Sequence, residues 1–170
     1  FNISTAASFI MAAAGVKVAK HGNRAISGMM GSADLLEALG VKMQLSAEGV
    51  RRCVEEVGLG FMFAPAFHPA TRHAAPVRRE LGVRTVFNIL GPLTNPAGAQ
   101  FQLIGAASAD AAEKIAHVLA ILGTKRSWVV HGDDGMDEIT TTTTTSAWEV
   151  AGTKVRPFTI SPEDAGIARA

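Results

Sequence analysis

Apolar positions fall in short blocks separated by glycines and polar clusters, and each block is the length of one helix or strand. Ala6 to Ala14 is alanine-rich with Phe9, Ile10 and Met11, and Gly15 follows as a stop; the pattern predicts a buried helix. Val16 to Ala19 carries β-branched valines and reads as a short buried strand ending at Lys20. Ala33 to Leu39 predicts a second helix stopped by Gly40, and Ser46 caps a third with Val50, Cys53, Val54 and Val57 on one face and Gly58 at its end. Pro69 fits the first position of a helix running to about Leu81 and bent at Pro76. Arg84 to Leu90 is apolar but too short for periodicity to decide between helix and strand, and Gly91 to Pro96 reads as a rigid turn. Phe101 to Ala106 predicts a strand. Ser108 then caps a helix through Leu122 with Ala112, Ile115, Ala116, Leu119 and Leu122 on its apolar face. Trp128 to His131 predicts a further strand. Ala147–Val150 and Lys154–Thr159 predict a hairpin about Gly152, and a helix start follows at Ser161-Pro162-Glu163. Strands alternating with helices give an α/β class with a mainly parallel sheet flanked by helices.

Composition narrows the class. The chain has 170 residues, 48% of them hydrophobic and 18% charged, which suits a globular fold with a substantial core. A formal net charge of +1 gives no support to broad binding of nucleic acid or acidic membranes. The single cysteine, Cys53, cannot form an internal disulfide, and a reducing, cytoplasmic setting fits. The stretch from Ala6 to Ala19 is interrupted by Gly15 and Lys17, so it does not read as a membrane span.

The candidate chemistry sits in two polar clusters. Lys20-His21-Gly22-Asn23-Arg24 is followed by Gly28-Met29-Met30-Gly31-Ser32-Ala33-Asp34, at the end of a predicted strand and the start of a predicted helix. Lys20 and Arg24 bring positive charge, glycines allow close approach of backbone to ligand, and free N–H groups at a helix start favour an anion. The loop suits a phosphate or diphosphate; a plain polar connection is the competing reading. It is not a Walker loop, because the glycine spacing is wrong and no Gly-Lys-Ser/Thr follows. The other cluster, His131-Gly132-Asp133-Asp134-Gly135-Met136-Asp137-Glu138, follows a predicted strand. Its carboxylates suit Mg²⁺, and a solvated acidic turn is the alternative. An arginine such as Arg78 at a cleft can grip a carboxylate bidentately.

Lys20 to Arg24, Gly31 to Asp34 with Leu36 to Gly40, Phe63-Ala64-Pro65, Val77-Arg78, Arg84 to Pro96 and His131 to Ile139 together resemble the anthranilate phosphoribosyltransferase family in order and spacing, over nearly the whole chain. The resemblance implies a catalytic domain of the nucleoside phosphorylase/phosphoribosyltransferase type. It implies transfer of phosphoribose from phosphoribosyl diphosphate to anthranilate in tryptophan biosynthesis, with Mg²⁺ as cofactor and a homodimeric parent. By the same resemblance, Asn2, Ser4 and Thr5 match a diphosphate segment, with Ser4 near one Mg²⁺, while Lys20, His21, Gly22, Asn23, Arg24, Ser27, Gly28 and Ser32 match the donor loop. Asn23 and Arg78 match anthranilate contacts, His21 and Pro65 the wall of that pocket, and Asp137 and Glu138 Mg²⁺ ligands. Residues 1–170 are then expected to be one partial domain, truncated at both ends, without the family's N-terminal helical domain and inactive alone. Met29-Met30 and the run Thr142 to Thr145 depart from the family pattern. A degenerate homologue that binds nucleic acid or a protein partner is the alternative function.

Overall fold

The computed structural model describes residues 2–25, 30–74, 76–77, 80 and 85–170. They form two compact units: residues 1–85 with 95–97, and residues 86–94 with 98–170.

In the first unit, helix α1 (Ile3–Ala13) leads into strand β1 (Val18–Gly22). Helices α2 (Ser32–Ala38) and α3 (Ala47–Arg52) cross to strand β2 (Leu59–Phe63), which pairs parallel with β1. Register sets Lys20 opposite Phe61, His21 opposite Met62 and Gly22 opposite Phe63. Helix α4 (Ala64–Phe67) accepts Pro65 because a first turn has no use for its missing N–H. A 3₁₀ turn follows over Pro69–His73. The core is Ala33, Leu36, Met43 and Phe61, with Phe63 packed against it.

The second unit opens with helix α5 (Phe87–Leu93) and strand β3 (Phe101–Gly105). Helix α6 (Ala109–Ile121) crosses to strand β4 (Arg126–Gly132), which pairs parallel with β3. Strands β5 (Thr145–Ala151) and β6 (Lys154–Ile160) then add antiparallel to give the order β3-β4-β5-β6. A 3₁₀ turn over Pro162–Ala165 follows. Ser108 Oγ accepts from Ala111 N–H and caps α6, whose Ala112, Ile115, Ala116 and Leu119 bury against Ile104, Val129 and Val150.

The α/β class with sheets flanked by helices holds, and the four strand pairings divide evenly between parallel and antiparallel. Several expectations are corrected. Helix α1 is not buried: Ile10 is 71% exposed and only Thr5 and Ser8 are buried. It also begins earlier than its alanines suggest, because Asn2 caps it. Strand β1 continues past Lys20 to Gly22, since β2, which the sequence pattern does not reveal, offers partners that far. Helix α3 changes to a π turn over Cys53–Val57, and the wider turn rotates Val57 out to 74% exposure. The rigid turn expected from Gly91 is instead the last part of α5, which runs through Pro92 and stops one residue later. Leu122 lies beyond the last turn of α6 and is exposed. Of the helix expected from Pro69, the described part beyond the 3₁₀ turn includes helical Pro76, Val77 and Glu80. No helix among the described residues is long and apolar enough to cross a membrane.

Candidate functional site

The carboxyl ends of β1 and β2 carry the first constellation, as parallel strands in α/β folds often do. The first turn of α1 meets the middle residue of β1: Lys20 Nζ donates to Ser4 Oγ at 3.0 Å. Asn2 and Thr5 serve a local role beside them. Asn2 Oδ1 accepts from Thr5 N–H at 3.1 Å and Thr5 Oγ1 at 2.6 Å, which satisfies an orphan donor of the helix, and Thr5 is buried. The Ser32 hydroxyl lies against Gly22, where a Cβ would overlap it, and donates to the Asn23 carbonyl at 3.4 Å.

The described residues on either side of 26–29 are tied together after β1. The Asn23 carbonyl also accepts from Ala33 N–H at 3.2 Å. Asp34 Oδ2 accepts from Ala25 N–H at 2.8 Å and from Gly31 N–H at 2.9 Å. Thus Gly31 and Ala33 at the start of α2, expected to offer N–H groups to an anion, spend them inside the protein. These backbone bonds hold the Asp34 carboxyl below the usual carboxylate range. Arg24, expected among the donor contacts, grips Glu37 with both arms at 2.5 and 3.0 Å and sits 5.8 Å from the centroid of the Phe63 ring. The Glu37 hydrogen bond raises the pKa of the Arg24 guanidinium. Asn23 Oδ1 accepts from Arg24 N–H at 2.8 Å, and its Nδ2 has no partner among the described residues.

The rings of His21 and His68 meet edge to face at 4.9 Å. His68 precedes the following 3₁₀ turn, and its side chain does not cap it. Phe63 and Pro65 line an open cleft of about 370 Å³ together with Gln44, Leu45 and Ala66. Asn95, from the Gly-Pro-Leu-Thr-Asn-Pro block, donates through Nδ2 to the Ala19 carbonyl at 3.1 Å and so braces β1. Ser27, Gly28 and Arg78 lie outside the described residues.

The second unit places the acidic cluster after β4. Two of its carboxylates are consumed by the threonine tract. Asp134 Oδ2 accepts from Thr140 Oγ1 and Thr142 Oγ1, both at 2.5 Å, and its pKa falls to about 2, chiefly through the Thr140 bond. Asp133 accepts from Thr144 Oγ1 and from Ser146 Oγ at 2.8 Å, and its pKa is lowered by those bonds. Asp137 is exposed and Glu138 half-buried. A Cβ on Gly105 would overlap the Asp137 carbonyl oxygen, so the bare backbone of β3 is what lets this turn seat. His131 Nδ1 donates to the Ala106 carbonyl at 2.9 Å, which assigns the proton to Nδ1.

A family model described as glycosyl transferase family, a/b domain, matches residues 1–170. The chain belongs to this glycosyl transferase family. The a/b domain is 58% identical over 171 residues to anthranilate phosphoribosyltransferase of Herpetosiphon aurantiacus, covering 100% of this chain and 51% of that protein. It is 59% identical over 171 residues to the enzyme of that name from Chloroflexus aggregans, covering 100% of this chain and 50% of that protein. Among solved structures, anthranilate phosphoribosyltransferase from Thermus thermophilus superposes with a TM-score of 0.91 at 51% identity, over 99% of this chain and 50% of that one. The Saccharomyces cerevisiae enzyme in complex with PRPP and Mg gives 0.90 at 30% identity, over 100% of this chain and 47% of that one. The chain spans about half the length of the relatives it matches.

Two features of this a/b domain escaped the sequence reading. Glu37 as partner of Arg24 has a faint signal, since it follows Asp34 by one helical turn and shares its face. Gly105 has none, because its role depends on a contact with Asp137, far along the chain.

Proposed function

We propose that the full-length protein transfers the phosphoribosyl group of phosphoribosyl diphosphate to the amine of anthranilate, giving N-(5-phosphoribosyl)anthranilate and diphosphate. The observation that carries this reading is the pairing of Ser4 with Lys20 of β1, in a chain 58% identical to an enzyme named for that reaction.

The amine nitrogen attacks the anomeric carbon as the bond to the diphosphate oxygen breaks. Positive charge grows on the ribose and negative charge on the departing oxygens. Lys20, paired with Ser4, balances the latter, and Ser32 lies against Gly22 two residues further along β1. Asn23 and Arg78 orient the acceptor, and His21 and Pro65 wall its pocket. Catalysis is then positioning plus electrostatics, without a covalent enzyme intermediate.

The donor set suits Mg²⁺. Asp133 and Asp134 are engaged by hydroxyls, and the adjacent pair Asp137 and Glu138, with the Asp137 backbone seated against Gly105, is the one the family pattern matches to Mg²⁺. Among the described residues no group of three or more His, Cys, Asp or Glu side chains could enclose a metal, and Mg²⁺ characteristically takes one or two carboxylates plus water and substrate phosphate. When bound, it supplies charge neutralisation to the diphosphate. Asp137 and Glu138 would hold one ion, and the family pattern matches the Ser4 hydroxyl to a Mg²⁺ as well.

The reading places the protein in tryptophan biosynthesis as a cytoplasmic homodimer, with residues 1–170 a single partial phosphoribosyltransferase domain. The family match over the whole chain supports the transferase domain, and the lone cysteine fits a reducing setting. The test is incubation of the full-length protein with phosphoribosyl diphosphate, anthranilate and Mg²⁺. Consumption of anthranilate fluorescence with release of diphosphate is expected; an inert, folded enzyme overturns the assignment. Lys20→Met is expected to lower kcat/KM by roughly a hundredfold or more, the scale of losing one preorganised electrostatic group.

A further inference from the structure

We propose that Asp34 is a positioning residue for the acceptor contact Asn23, acting as a latch that joins the two ends of the loop after β1. The role rests on the phosphoribosyl-transfer reading of that loop.

One carboxylate oxygen, Oδ2, takes N–H groups from both sides of the loop, Ala25 at 2.8 Å and Gly31 at 2.9 Å. The other, Oδ1, lies 3.5 Å from Arg24 Nη1, which is itself fixed by Glu37 at 2.5 Å. The Arg24 N–H in turn sets the Asn23 side chain, donating to Oδ1 at 2.8 Å. The Asn23 carbonyl is held from the opposite side by Ala33 N–H and Ser32 Oγ. Gly31 completes the closure, because any Cβ there would overlap the Ala25 nitrogen. The orientation of the Asn23 amide is therefore the end of a chain of contacts that begins at Asp34.

The chemistry requires a carboxylate. Both backbone partners are donors on the same oxygen, and the second oxygen faces a cation, so every partner wants an acceptor. An asparagine must turn its NH₂ either toward two N–H groups or toward the guanidinium. The position also suits an anion, since Asp34 lies in the first turn of α2 and neutralises the positive end of that helix. With its oxygens committed, Asp34 is not placed to move a proton to or from a substrate.

The test uses the full-length enzyme as wild type, Asp34→Asn and Glu37→Gln, with steady-state kinetics in anthranilate and amide hydrogen exchange at Ala25 and Gly31. Asp34→Asn is expected to raise the anthranilate KM about tenfold, the size of one charge-assisted hydrogen bond lost, with a smaller change in kcat. The Ala25 and Gly31 amides are expected to exchange about tenfold faster, as fits the loss of that bond. Glu37→Gln is expected to lie between, because it loosens Arg24 and leaves the backbone bonds. An unchanged KM with unchanged exchange overturns the latch, as does a loss in kcat alone. Should Asp34→Asn not fold, unprotected Ala25 and Gly31 amides in the wild type overturn it equally. A wild type that makes no product overturns the phosphoribosyl-transfer reading instead, and the exchange data still decide the latch.

Discussion

Both units end a parallel strand in a polar loop, and they stabilise those loops in opposite ways. After β1, a single carboxylate gathers backbone N–H groups from the two sides of the loop. After β4, two carboxylates gather hydroxyls from the threonine run that follows them and from Ser146. In each case acidic residues are spent holding their own loop, so the role of an acidic cluster read from sequence emerges only once its partners are known. The glycines divide similarly. Gly31 makes room for its own loop at Asn23 to Ala25, whereas Gly105 makes room for a segment remote in sequence, Asp137.

The most severe way to break the comparison is to fill those glycines. Gly105→Ala forces Cβ onto the Asp137 carbonyl, which is rigid backbone, so a cost of about 3 kcal/mol is expected, the upper end for overpacking. Isothermal titration should then show loss of Mg²⁺-dependent binding of phosphoribosyl diphosphate. Gly31→Ala should cost about 2 kcal/mol, since its neighbours are also backbone but belong to an exposed loop. It should weaken anthranilate binding and leave Mg²⁺ dependence alone; equal effects of both variants on both ligands would erase the distinction between the loops.

A milder change separates hydroxyl from shape. Thr140→Val with Thr142→Val removes two donors from Asp134 and is expected to cost about 2 kcal/mol in denaturant unfolding, at roughly 1 kcal/mol per hydrogen bond. Ser108→Ala, which uncaps α6 away from either loop, should cost about 1 kcal/mol and spare both binding reactions.

Acid gives the smallest effect near neutrality. Glu149, on β5, accepts from Arg156 and Arg126, and these bonds lower its pKa to about 2. A folded value below the unfolded one means that its stabilising contribution is full above the ordinary carboxylate range of about 4 and drains away as pH falls toward 2. Thermal melts should therefore be flat from pH 7 to 5 and fall below 4, with a shallower fall in Glu149→Gln. A melt unchanged down to pH 2 would remove this support from the second unit.

Much of the second unit was legible in the sequence. Ser108 announced α6, the apolar spacing named four of its buried residues, and Gly152 marked the hairpin. The first unit was harder. Strand β2 hides because Leu59 to Phe63 is continuously apolar and short, so no period distinguishes it, and the exposed face of α1 contradicts its composition. At the site, the residue types were visible in the Lys20 to Asp34 segment, but their partners were not. That Arg24 faces Glu37 is only faintly signalled by spacing, and that Asp34 also takes the Ala25 N–H follows from backbone geometry across the loop.

The threonine tract carries a different lesson. Thr140 and Thr142 reach Asp134 and Thr144 reaches Asp133, while Thr145 is buried and accepts from the Thr140 N–H. Four of six identical letters therefore have side chains with assigned contacts. Loss or gain of one threonine would leave the composition almost untouched. Yet it would move every hydroxyl to its neighbour's place. The tract should tolerate a serine at several posts better than it tolerates a perfect copy of itself shifted by one.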